Sequence, residues 1–352
     1  HPVPGRPVRR RRRGERGGYR RKLATRVVRS KRPGSQPAPA IGQLKRGLMQ
    51  MDKVYFERDG LELVGHLFTP EGFDEQHLYN AVIVQGSLTS VKEQMAGTYA
   101  QKLAGQGFVA LAFDYSHYGE SAGEPRQLES PAEKLRDLQA AVSFLSQRPY
   151  VRAVGMVGIC TSAGNAIEFG AVEPGLRVLA TIAAFLPGPA LYNKLYGDDG
   201  VATRKARSSA SRRKYEKSGE LDLVPAYSET DPTAINVGKP GSYDYYLNPS
   251  RGNVPTYRNQ AALMGLEQFM EFDPISKAAR MTAPTLIVHS DGCAFPDEAR
   301  RLFAELRVEK ELVWADGTHY DYYDSQQQVD NAVANVARFF KAHMAPEASD
   351  ET

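Results

Sequence analysis

Cys160 sits where a side chain is well placed to do covalent chemistry. The apolar run Val154-Gly155-Met156-Val157-Gly158-Ile159 leads into Cys160-Thr161-Ser162-Ala163-Gly164 and then into the helix-like Asn165-Ala166-Ile167-Glu168-Phe169. A chain that passes from strand to helix in so few residues needs small residues two before and two after the apex, because bulkier ones would collide. Gly158 and Ser162 hold those places around Cys160. An apex residue is pushed into a sparsely populated backbone conformation, and its side chain projects ahead of a helix N-terminus. A thiol mounted there, beside an imidazole, has its pKa lowered and becomes a nucleophile. A second register puts Ser162 at the apex, between Cys160 and Gly164. The apolar run ends one residue before Cys160, which favours Cys160. Taken alone, the motif also fits a buried cysteine in an ordinary strand-turn-helix unit.

The elements that must position such a group are legible along the chain. Val54–Arg58, Asp59-Gly60 and Leu61–Phe68 read as a β-hairpin. Ala81–Val84 reads as a fully buried strand emptying into Gln85-Gly86-Ser87-Leu88. Strand and helix then alternate: helix about Glu93–Ala104, strand Phe108–Phe113, helix Pro131–Leu145, strand Val154–Ile159, helix Ala163–Val172, strand Val178–Ala184. That alternation predicts an α/β fold, a mostly parallel sheet with helices on both faces and an antiparallel hairpin at its start. Functional groups of such sheets gather at the carboxyl ends of strands, where Gln85-Gly86-Ser87, Asp114-Tyr115 and Cys160 fall.

The alternation stops from Pro187 to about Ile275 and resumes with Thr285–Val288, helix Asp297–Leu306, strand Glu311–Trp314 and helix Gln326–His343. We therefore divide the chain into a core of residues 49–186 and 276–345, an inserted cap of residues 187–275 and a short C-terminal tail, 346–352. The cap holds helix-like stretches at Arg204–Lys217 and Tyr257–Met270, without a strand pattern. Its aromatics Tyr243, Tyr245, Tyr246, Tyr257 and Phe269 either line an apolar pocket or fasten the cap down.

Of 352 residues, 41% are hydrophobic, enough for a sizeable core. Residues 1–48 carry sixteen Lys and Arg against the single acid Glu15, so the rest of a chain of net charge +4 is acidic by about eleven charges. This basic, Gly- and Pro-rich segment is expected to be disordered. It reads as upstream sequence ahead of a start at Met49 or Met51 rather than as a nucleic-acid-binding arm. No run of about 18 apolar residues predicts a membrane span, and the default location is the cytosol. Two cysteines, Cys160 and Cys293, are too few for a disulfide framework or a structural zinc site. No metal or organic cofactor is implied, and oligomeric state is not encoded legibly.

Over essentially all of residues 51–343 the chain resembles the α/β-hydrolase superfamily, whose order is nucleophile elbow, acid after a late strand, histidine after the last strand. Here that order is Cys160, Asp291, His319. Phe113-Asp114-Tyr115-Ser116-His117-Tyr118-Gly119-Glu120-Ser121 is similar to the loop after the superfamily's fourth strand, with Ser116 in place of a common arginine. Cysteine at the elbow resembles the dienelactone-hydrolase branch. Val91-Lys92-Glu93-Gln94 and Gly-Ile-Cys resemble capped relatives that include fungal polyketide transferases. The resemblance implies His319 as general base and Asp291 as the acid that orients it, with Asp297, Asp316 and Asp321 as alternatives. Pro296 aligned with the proline that often follows the acid puts Gly292, one residue later, at the expected position. The oxyanion donors would be the N–H groups of Thr161 and of Ser87 or Leu88. His289 and His117 read as structural or pocket-lining, and Glu93 as a hydrogen-bonding group near the pocket.

The expected function is hydrolysis of a carboxylic ester or lactone, a small acyl substrate, through an acyl-thioester on Cys160. Acyl transfer with the same three residues is the first alternative. A non-catalytic binding protein, with Cys160 and Cys293 as a redox pair, is the second.

Overall fold

In Ala81–Val84 all four side chains are fully buried, Val82 and Val84 in one layer and Ala81 and Ile83 in the other. That is the pattern of a strand covered on both faces. The computed structural model describes residues 25–29, as backbone, and residues 50–345. Its centre is a nine-stranded sheet of β1 (Thr25–Arg29), β2 (Gln50–Arg58), β3 (Leu61–Thr69), β4 (Tyr79–Gln85), β5 (Val109–Phe113), β6 (Val151–Ile159), β7 (Leu176–Ile182), β8 (Thr285–His289) and β9 (Lys310–Trp314). The spatial order is β1-β9-β8-β7-β6-β4-β5-β3-β2. β2 and β3 pair antiparallel through Asp59 and Gly60, both at positive φ (50° and 81°), as a tight hairpin turn requires. β3 and β5 are also antiparallel, and every other neighbouring pair is parallel.

The helices are α1 (Met95–Ala104), α2 (Pro131–Ser146), α3 (Ser162–Gly170), α4 (Pro189–Ser218), α5 (Asp244–Leu247), α6 (Leu266–Glu271), α7 (Pro296–Glu305), α8 (Asp321–Asp324) and α9 (Gln326–His343). Tyr99 and Leu103 of α1 pack with Val336 and Phe340 of α9 on one face of the sheet. Leu138 and Leu145 of α2 pack with Ile167 and Phe169 of α3 on the other. This is the two-faced α/β sheet, opening hairpin and late insertion expected from the alternation of apolar runs.

Within the insertion the pattern reading is coarser. α4 begins at Pro189 and turns at Gly197 (φ 66°, ψ 168°) before its basic half. The stretch 257–270 is helical only from Leu263 on, a 3-10 turn over Leu263–Gly265 leading into α6, because its first part pairs instead. Asn259 takes the Tyr227 N–H on its side-chain oxygen and donates to the Tyr227 carbonyl, at 2.9 and 2.7 Å. Ala261–Ala262 pairs antiparallel with Leu223–Val224, and Tyr227–Ser228 pairs with Asn236–Val237. The cap thus carries short strand pairs that no alternation announced.

β1 lies within the basic segment that the sequence marks as structureless and runs parallel to β9, with Val27 opposite Leu312. The remainder of residues 1–48, like the tail from 346, lies outside the described residues. Among the described residues no helix is long and apolar enough to cross a membrane.

Candidate active site

β6 ends at Ile159, and Cys160 turns the chain into α3 with φ at 56°. A left-handed backbone at a residue with a side chain costs on the order of 1–3 kcal/mol and persists only where its surroundings fix it. The Cys160 N–H donates to Ile182 O at 3.0 Å, and its carbonyl accepts from Phe185 N at 3.0 Å and Ala163 N at 3.1 Å. A Cβ on Gly158 would lie 2.2 Å from the Ser162 carbonyl oxygen, so the elbow closes only over glycine. Ser162 opens α3, buried, with its Oγ 3.4 Å from the Tyr115 hydroxyl. The apex is Cys160.

His319 Nε2 lies 3.3 Å from Cys160 Sγ and 3.0 Å from the Tyr323 hydroxyl. Its loop is laced to the loop after β8. The His319 N–H donates to Gly292 O at 3.1 Å, Ser290 Oγ donates to Gly317 O at 2.6 Å, and Gly292 bridges Thr318. A Cβ on Gly292 would stand 2.4 Å from Gly317 O, so this crossing also admits only glycine.

That lacing sets the direction in which Asp291 faces. With Gly292 turned under the histidine loop, Asp291 faces outward, three-quarters exposed, and its Oδ1 accepts from Arg300 at 2.6 Å. Asp297 shares Arg300, Asp316 is exposed, and Asp321 Oδ2 takes the Thr318 N–H at 2.7 Å. No carboxylate is among the partners of His319 in the described residues. Its Nδ1 instead accepts the Ala294 N–H at 3.2 Å. A neutral imidazole that accepts at Nδ1 carries its proton on Nε2, facing Cys160 and Tyr323. Burial, with a smaller effect of His289, pushes the His319 pKa down to about 3. Burial likewise raises the Cys160 thiol above its ordinary 9.0, opposed by hydrogen bonds from Tyr323, Thr161 and the backbone of Leu88. The resting pair is therefore a neutral thiol and a neutral imidazole.

The Cys160 Sγ also lies 3.7 Å from Thr161 Oγ1, and Leu88 and Thr161 both line the space above the sulfur. Ser87 ties the loop after β4 to the cap, its Oγ accepting from the Tyr246 hydroxyl at 2.6 Å. The loop is anchored from below by Lys92, fully buried, with Nζ 2.9 Å from Asp114 Oδ2 and 2.6 Å from Glu120 Oε2. Glu93 joins that cluster at 2.8 Å and accepts from Thr256 Oγ1 of the cap at 2.9 Å. His117 is held by Pro125 O at 3.0 Å, and His289 is buried against Trp314; neither lines the cavity.

Above Cys160 the cap encloses a cavity of about 530 Å³ whose floor is Leu88, Cys160, Thr161, His319, Tyr320 and Tyr323. Of the five cap aromatics, Tyr243, Tyr246 and Phe269 line it, while Tyr245 and Tyr257 are buried in the packing beside it. Cys293 also lines it, with Sγ 3.2 Å from Ser290 Oγ. Among the described residues no group of three His, Cys, Asp or Glu side chains is placed to hold a metal ion.

This architecture superposes on the α/β hydrolase GrgF from Penicillium sp. sh18 with a TM-score of 0.67 at 18% identity, over 84% of this chain and 99% of that one. YcjY, an uncharacterized protein of Escherichia coli K12, is 31% identical over 305 residues, 83% of this chain and 99% of its own. The chain belongs to the same family as YcjY and has the α/β-hydrolase fold. Another relative is the thiohydrolase aneE of Aspergillus aculeatus, 24% identical over 235 residues, 65% of this chain and 72% of its own. No protein-family model matches the chain.

Sequence reasoning missed Tyr323 and Tyr227 in this α/β-hydrolase fold. Tyr323 lies in the short helix α8, which begins two residues after His319 and turns the phenol back onto the imidazole. Tyr227, whose hydroxyl donates to Leu88 O at 3.1 Å and whose ring stacks on Tyr246 at 3.9 Å, lies in a segment without periodicity and gave no signal.

Proposed function

We propose that the protein is an acyl hydrolase in which Cys160 attacks the carbonyl of an ester, lactone or thioester. The observation that carries this reading is the thiol at the elbow, ahead of α3, with His319 Nε2 at 3.3 Å. Attack forms the S–C bond as the carbonyl oxygen takes the negative charge, and the N–H groups of Thr161 and of Ser87 or Leu88 are the donors we assign to it. Losing one such donor typically costs about 3 kcal/mol of transition-state stabilisation. The thiol proton passes to His319 Nε2 and then to the departing alkoxide or thiolate. Water, deprotonated by the same nitrogen, cleaves the acyl-thioester and regenerates the thiol.

Nε2 accepts a proton only when the ring proton sits on Nδ1, and that tautomer gives up the Ala294 bond, a cost of about 0.5–1.5 kcal/mol. With no carboxylate on Nδ1, the imidazolium gains no stabilisation of the usual kind. Substrates with good leaving groups are thus the ones this pair serves best. The name of the thiohydrolase relative agrees with thioesters among them. A panel of aryl esters, lactones and acyl thioesters tests the reading, with products separated in the presence and absence of an added alcohol. Free acid is expected to dominate. If ester accumulates faster than acid, the reaction is acyl transfer, and if the Cys160→Ala variant turns over the panel as fast as wild type, the catalytic assignment falls.

A further inference from the structure

Arg204 and Arg207 line the cavity that also holds Cys160 and His319, and among the described residues no Asp or Glu lines it. Their neighbours on α4 are engaged elsewhere. Lys205 pairs with Glu271 at 2.9 Å, Arg212 donates to Met264 O at 2.7 Å, and Lys214 pairs with Asp222 at 2.7 Å. Arg204 and Arg207 have no carboxylate partner among the described residues. Arg204 is stacked on the Tyr196 ring at 3.7 Å, with Nη1 held by Gly200 O at 3.2 Å. This pre-positions a guanidinium whose remaining N–H groups are unspent. Arg207 stands three residues on, along the same face of the helix. The neutral His319 at the floor adds no charge to offset them or to compete with them. Arg204 is part-buried and Arg207 exposed, so two cationic forks with no acid beside them give this end of the cavity a positive potential, and guanidinium is matched to carboxylate and phosphate oxygens.

Resting on the hydrolase reading above, we propose that this cavity selects acyl substrates bearing an anionic group, a carboxylate or a phosphate, separated by an apolar spacer from the carbonyl that Cys160 attacks. The spacer lies along Tyr243, Tyr246 and Phe269, and the anion meets Arg204 and Arg207 on α4.

Two matched substrate pairs test this and separate the two sources of charge. The first is the p-nitrophenyl ester of a dicarboxylic acid with its far carboxylate free, against the same ester with that carboxylate methylated. The second is an acyl thioester of phosphopantetheine against that of pantetheine. The readout is the ratio of kcat/KM for the anionic to the neutral member, for wild type and for Arg204→Gln/Arg207→Gln, with thermal melting as the check on folding. Wild type is expected to prefer the anionic member of at least one pair. In the double variant that ratio falls by about tenfold or more, the size of one charge-assisted hydrogen bond, mainly through KM. A preference in the first pair assigns a carboxylate on the acyl part; one in the second assigns a phosphate on the leaving group. Turnover of the neutral members with no anionic preference, or a preference that the double variant retains, overturns this inference alone. No turnover of any of the four by wild type overturns the hydrolase reading and this inference with it.

Discussion

Removing the Tyr323 hydroxyl isolates what sets the reactivity of the thiol. Burial raises the Cys160 pKa above 9.0, and the hydrogen bond from Tyr323 leads the groups that hold it down. The phenol is itself buried, and burial lifts its own pKa well above 10, so it stays protonated and donates wherever the thiolate forms. A hydrogen bond to a charged acceptor is worth about 1.5–3 kcal/mol, and 1.36 kcal/mol is one pKa unit. Tyr323→Phe is therefore expected to raise the Cys160 pKa by about one to two units. The ring still packs against Tyr245 at 4.9 Å and Tyr320 at 5.3 Å, so the fold should be kept. The assay is the rate of iodoacetamide alkylation of the Cys160 peptide, followed by mass spectrometry between pH 6 and 11, roughly the range that brackets an ordinary and a raised thiol. The midpoint is expected to move up with little change in the plateau. An unchanged or lowered midpoint would mean that the Tyr323 hydroxyl does not hold the thiolate.

Three other contacts can be tested individually. Asp291→Asn is expected to leave kcat/KM within about twofold and to cost no more than an exposed ion pair, ~0.2–1 kcal/mol; a drop beyond tenfold would place its carboxylate on His319 in the working enzyme. Gly158→Ala puts a methyl 2.2 Å from the Ser162 carbonyl oxygen and is expected to lower the melting temperature by an overpacking cost of about 1–3 kcal/mol or more, whereas an unchanged melt would show that the elbow yields easily. His319 is neutral in the fold, with its pKa lowered from 6.5 to about 3, so the unfolded chain binds the extra proton between those values. Stability is whole above pH 6.5 and declines as pH falls towards 3, by on the order of 5 kcal/mol for this ring. Urea unfolding at stepped pH should show a shallower decline for His319→Gln, and an equal decline would contradict the assignment.

Where one physical signal decided a feature, the sequence carried it. Apolar runs of strand length separated by helical periods specify the parallel sheet, and the elbow follows from Gly158 and Ser162 around Cys160, because only small residues fit. His319 was legible from its place after the last strand. Composition names a carboxylate such as Asp291 without saying which way it faces. Gly292 crosses the histidine loop and turns its neighbour outward to Arg300. The cap resisted for a related reason: its order comes from side-chain bonds such as Asn259 to Tyr227 and from stacked tyrosines, which leave no period in the chain.

Everything proposed for this site depends on Cys160 becoming acylated, and that can be seen by quenching a reaction with an activated acyl thioester in acid and measuring the protein's mass. A mass increase equal to the acyl group is expected on the peptide containing Cys160, absent from Cys160→Ala, whose turnover falls to the uncatalysed rate. An adduct on Ser162 or Cys293, or steady turnover by Cys160→Ala, would contradict it.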